Sequence, residues 1–128
     1  MIEPKGEDRF ISLMKLGTCL FVSVPNGLRD SEAKALQASI AQRLSVEREV
    51  RGLIVDVSAL TLIDSFGAKV LGETASIASN FGAKSVLVGI RPPIATTLVE
   101  LGIELGMLDT ALTLESALKK LKIRIVSE

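Results

Sequence analysis

Leu53-Ile-Val-Asp-Val57 narrows the choice of fold more than any other segment of this chain. It has no polar alternation, and such a run reads as a strand buried on both faces, the kind found in parallel sheets covered by helices. Gly52 opens it. Lys84 to Ile90 is a second run of the same type. Before the first run, Ala33, Leu36, Ile40 and Leu44 recur at helical spacing. They predict an amphipathic helix from Asp30, taken as its N-cap, to about Leu44. Between the two runs, Asp64 or Ser65 caps a helix to about Asn80, and Gly82 stands where a glycine usually closes one. Strands alternating with helices in this way predict an α/β domain with a mixed, largely parallel sheet.

The ends complete the pattern. Phe10 to Leu16 and Thr18 to Val24 are apolar, β-branched stretches on either side of Gly17, an antiparallel pair that Pro25-Asn-Gly27 ends. Residues 1–9 read as a flexible lead-in. Pro92-Pro93 suits the first turn of a third helix, Ile94 to Leu101, stopped by Gly102. Asp109 to Leu112 makes at best a short edge strand, and Thr113 caps a last helix carrying Leu114, Ala117, Leu118 and Leu121. About four helices and a single domain over residues 1–128 are expected; a chain of this length buries roughly 65 to 70 % of its unfolded surface.

Composition removes several functions. Fifteen basic residues balance fifteen acidic ones, so no net field favours nucleic acid or an anionic membrane. The chain has no His, Trp or Tyr and one Cys. The commonest general base and metal ligand is therefore missing, as are most stacking platforms for single-stranded nucleic acid, and no zinc cluster is available. Cofactors and metals are not expected. Cys19 alone suits a reducing compartment, no apolar run is long enough to span a bilayer, and the N-terminus has no secretory stretch, so the cytoplasm is the expected address.

The candidate chemistry lies in Ser58-Ala-Leu-Thr-Leu-Ile-Asp-Ser-Phe-Gly-Ala-Lys-Val-Leu-Gly72. On a helical wheel at about 100° per residue, Phe66, Val70, Leu71, Ile77, Ala78 and Phe81 gather as the core face. Ser65, Lys69, Gly72, Ser76, Ser79 and Asn80 share the opposite side, putting the Ser65 hydroxyl in solvent at a helix N-terminus. Asp-Ser before a helix is more usually just a capping pair. Asp56 reads first as a hydrogen-bonded strand end and only second as an acid catalyst. Gly89-Ile-Arg-Pro-Pro93 is a turn into a helix before it is an anion loop.

Taken together, Leu53-Ile-Val-Asp-Val-Ser58, Leu62-Ile-Asp-Ser-Phe66, Gly82-Ala-Lys84 and Gly89-Ile-Arg-Pro92, in this order of elements, resemble the STAS domain, the anti-anti-sigma-factor fold. The resemblance covers essentially the whole chain. It implies a non-enzymatic protein whose Ser65 is the acceptor for a GHKL-type serine kinase, sequestered until phosphorylation releases it to activate a phosphatase pathway. It also implies co-assembly with STAS-containing sensor paralogues into a large stressosome core. Asp64, preceding the acceptor, would orient it or the incoming kinase, and Lys69, Gly72 and Ser76 would extend the docking stripe. Phe66 stands before Gly67, where free anti-anti-sigma factors commonly carry a small hydroxyl residue, which favours the stressosome branch over a small soluble anti-anti-sigma factor. Thr61 and Ser58 stay open as second acceptors. A carboxylate- or nucleotide-dependent enzyme is the third reading, disfavoured by the lack of a phosphate-cradling glycine loop of the P-loop type.

Overall fold

The computed structural model describes residues 13–102 and 108–122. In chain order the elements are β1 (Leu13–Leu16), β2 (Cys19–Ser23), α1 (Asp30–Val46), β3 (Gly52–Asp56), α2 (Ser65–Asn80), β4 (Lys84–Val88), α3 (Pro92–Glu100), β5 (Leu108–Ala111) and α4 (Leu114–Leu121). The expected lead-in over 1–9 and the first three residues of the strand expected from Phe10 lie outside the described residues.

The strands form one sheet in chain order, β1-β2-β3-β4-β5. β1 and β2 are antiparallel across a turn in which Gly17 has φ 60°, and every later pair is parallel. The Leu53 run is the middle strand. Adding strands in one direction through right-handed crossovers puts the connecting helices on one face. Accordingly Leu36, Ile40 and Leu44 of α1, Ala68, Ala75 and Ala78 of α2, and Ile94 and Leu98 of α3 share one core with Leu20, Val22, Leu53, Val55 and Leu87. The other face carries Cys19, Ile54, Val86 and Val88, packed by Ala117 of α4.

Three expectations need correction. Arg29, not Asp30, caps α1, because Glu32 at the third helical position turns back to accept a hydrogen bond from the Arg29 amide at 2.9 Å. That helix also continues to Val46, which is exposed and so invisible to apolar periodicity.

The third correction concerns α2. Its buried residues are Ala68, Val70, Thr74, Ala75 and Ala78, whereas Phe66, Leu71 and Ile77 are only partly buried and Phe81 is 41 % exposed. Small side chains let the helix axis come close to the sheet, so the helix turns its alanines inward and leaves the larger groups at the margins. A wheel centred on the largest apolar residues misses that rotation.

Candidate functional site

The end of β3 and the start of α2 are joined by residues 57–64, a segment fixed from both sides. Asp56 Oδ1 accepts from the Ser58 amide at 2.9 Å, the strand-end role expected of it. Asn26, from the loop after β2, accepts from the Thr61 amide at 3.2 Å and donates from Nδ2 to Thr61 Oγ1 at 3.1 Å. Arg91, from the loop after β4, donates from Nε to the Ser58 carbonyl at 2.8 Å. Gly89 has φ 76°, and a Cβ built there would lie 2.7 Å from Ser58 Cβ, so a side chain at position 89 would displace the segment. Gly89-Ile-Arg-Pro-Pro93 therefore turns into α3, with Arg91 as its cap and proline in its first turn, and props the neighbouring loop.

Asp64 ends this loop as the N-cap of α2. Its Oδ1 accepts from the Gly67 amide at 2.7 Å and its carbonyl from the Ala68 amide at 2.9 Å. A Cβ on Gly67 would stand 3.1 Å from Ile63 Cγ1 and 3.3 Å from Asp64 Oδ1, so the glycine after Phe66 gives the cap room. Ser65 is the first helical residue and is exposed. The hydroxyl thus sits on the rim of a helix N-terminus whose amides one carboxylate already partly satisfies.

Along α2 from Ser65, Lys69 and Ser76 are exposed and Gly72 is partly buried, contrary to its expected place on an open stripe. The rotation that brings Ala68 and Ala75 inward carries Gly72 toward the margin. Among the described residues Lys69 makes no ion pair. The open-ended candidates Thr61 and Ser58 are both exposed, Thr61 with its hydroxyl engaged by Asn26.

Sequence reasoning overlooked Leu62, which is 80 % exposed three residues before Ser65. An apolar side chain in a loop carries no periodic signal, and only its position distinguishes it. Asn26 and Arg91 were missed as supports because their partners lie 35 and 33 positions away. Among the described residues no group of His, Cys, Asp and Glu could hold a metal ion, and no helix is long and apolar enough to cross a membrane.

A three-layer α/β unit with an exposed serine opening its second helix defines a class. The STAS domain model matches residues 11–117, most of the chain, and the protein belongs to that family. Its fold and sequence are similar to a Ser-to-Glu variant of RsbS from Moorella thermoacetica, 32 % identical with a TM-score of 0.80, over 89 % of this chain and 96 % of that one. A chain in the molecular architecture of the stressosome, described as a signal integration and transduction hub, is 33 % identical with a TM-score of 0.65, over 87 % of this chain and 96 % of that one.

Relatives in Bacillus subtilis (strain 168) include the uncharacterized protein YezB, 34 % identical over 65 % of this chain and 85 % of that protein. The RsbT co-antagonist protein RsbRA is 31 % identical over 58 % of this chain, but only 27 % of RsbRA is matched, so the similarity spans about a quarter of that protein.

Proposed function

We propose that this protein is a subunit of a stressosome-type assembly that sequesters a GHKL-type serine kinase and releases it when Ser65 is phosphorylated. The carrying observation is the exposure of Ser65 at the first residue of α2, on a loop braced from two neighbouring elements. Similarity to RsbS and to a stressosome chain at 32–33 % identity, over 96 % of each, favours an assembly subunit over a small soluble anti-anti-sigma factor. The fragment similarity to RsbRA fits partnership with STAS-containing sensor paralogues. In this reading the protein is cytoplasmic, binds no nucleic acid, and neither hydrolyses ATP nor phosphorylates itself.

The physics favours blocking over remodelling. A phosphate at a helix N-terminus gains at most about 2 kcal/mol from the dipole, and Asp64 already occupies the cap, so little is left to reshape a fold held by ~5–15 kcal/mol. Burying an uncompensated dianion in an interface costs several kcal/mol, and weakens a partner by roughly two decades or more. Asp64, Lys69, Gly72 and Ser76 extend the docking surface from Ser65, and Leu62 supplies an apolar contact beside it.

The test is reaction of the purified protein with a GHKL-type serine kinase and ATP, followed by mass spectrometry. One phosphate on Ser65, with loss of kinase binding, is expected. A phosphate confined to Thr61 or Ser58 would overturn the assignment.

A further inference from the structure

Between α1, α2 and the sheet face they cover lies a cavity of about 420 Å³. Leu53 and Leu87 form its floor, Leu36 and Val70 its walls, all of them buried. The exposed lining residues Gly27, Asp30, Leu62 and Asp64 mark the mouth, at the end of the sheet where Ser65 sits. Ser85 also lines the cavity, in register with Leu53 near the start of β4, toward the opposite end of the strands.

Ser85 is 2 % exposed, and its Oγ has no hydrogen-bond partner among the described residues. Buried hydroxyls are nearly always paired, and one that is not calls for an explanation. The other polar groups along the walls are engaged: Thr74 Oγ1 donates to the Val70 carbonyl at 2.7 Å, and Gln37 Nε2 to Glu73 Oε1 at 3.3 Å. A lone water needs two to four polar partners, and an apolar chamber with one uncommitted hydroxyl holds it poorly. Protein interiors are close-packed and seldom keep voids much larger than a water, whereas small-molecule sites are mostly apolar chambers of about 300–1,000 Å³ with a few placed polar groups.

We propose that this cavity binds a small neutral amphiphile, its apolar body between α1 and α2 and a single hydroxyl or carbonyl oxygen paired with Ser85. Neutrality follows from charge. Asp30 and Asp64 stand at the mouth and, among the described residues, no cation lines the chamber, so an anionic head is repelled at the entrance and uncompensated inside. Size follows from volume. An apolar cavity of about 150 Å³ accepts benzene, so a chain of roughly eight to ten carbons fits. The mouth shares Leu62 and Asp64 with the Ser65 surface, but binding in the chamber does not depend on the kinase reading.

The experiment is a titration of the full chain with 1-octanol and, in parallel, with octanoate, followed by methyl and amide NMR. Saturable shifts at Leu36, Val70 and Leu87, with 1-octanol at least tenfold tighter than octanoate, are expected. Ser85→Ala should weaken 1-octanol at least fivefold without lowering the melting temperature, and Ala75→Leu, which fills the chamber from α2, should abolish the shifts. If either variant fails to fold, the wild-type titration still decides. Unsaturable shifts at exposed Val99 and Leu112, or none at all, would make the cavity a packing void and overturn the proposal. Octanoate binding as tightly as 1-octanol would overturn the assignment of a neutral ligand.

Discussion

Ser65 contributes only an exposed hydroxyl, so its removal separates the proposed phosphorylation from folding. Ser65→Ala is expected to shift the melting temperature by less than about 2 °C, since exposed substitutions stay within about 0.5 kcal/mol. It should also abolish phosphate incorporation and keep the kinase bound, while Ser65→Asp weakens kinase binding tenfold or more; calorimetric titration beside melting curves reads both. Gly89 behaves oppositely. At φ 76° with Ser58 Cβ 2.7 Å from any added Cβ, Gly89→Ala combines a left-handed strain of about 1–2 kcal/mol with a steric clash. A lowered urea midpoint with unchanged slope, together with slower phosphorylation of Ser65, is the expected result, because the braced loop shifts. The value of Gly89 could be half-seen in the sequence as a turn before Pro92-Pro93; its pressure on Ser58 could not, since close approach of two loops leaves no local pattern.

At the scale of elements, α2 displays a stripe that starts at Ser65 and passes Lys69 and Ser76. Lys69→Glu is expected to leave the melting curve nearly unchanged and to weaken kinase binding at least tenfold, by charge reversal beside the acceptor; wild-type affinity would move the docking surface off this stripe. Gly72→Glu is a poorer probe than the sequence suggested, because Gly72 is partly buried. The boundaries of α2 were legible from Asp64 and Gly82, whose types are demanded by a cap and by a φ of 80°. Its inward face was not, because how closely a helix approaches a sheet is set by side-chain size as much as by polarity.

The β5–α4 junction gives a prediction in pH. The Thr110 amide, then Lys120 at 3.1 Å and Lys84 at 3.8 Å, hold the Asp109 carboxyl below the usual aspartate range. A depressed carboxylate contributes stability above its unfolded pKa of about 3.9, and that stability is lost as pH falls through the folded value. Asp109→Asn should therefore lower the unfolding free energy at pH 7 by at most about 1 kcal/mol for so exposed a network, read as a lower urea midpoint, and the difference should vanish near pH 2.

For the molecule as a whole, the proposed assembly is what a size measurement decides. Gel filtration with STAS-containing sensor paralogues is expected to give a particle of megadalton order, and elution as a small complex would favour the soluble anti-anti-sigma reading. The architecture was largely readable because the Leu53 and Lys84 runs, short and set between helical periodicities, read as strands covered on both faces. The long-range pairs Asn26 with Thr61 and Arg91 with Ser58, and the chamber behind Ser85, were not, since each arises only when distant segments meet.

The strand order has a consequence for synthesis. From β2 onward each strand is laid beside the one before it, so a chain leaving the ribosome meets a finished edge at every step and never has to wait for a later segment to fill a gap. Non-local pairing slows folding chiefly through loop closure, and here each closure spans one crossover. The growing edge is left unpaired only until the next βα unit arrives, which limits the interval in which a nascent sheet can pair with another chain. The second face is covered by α4, the last of the described elements, so Cys19, Ile54, Val86 and Val88 stay open until it arrives. Chaperone contact during translation should concentrate on that face and end when Ala117 docks.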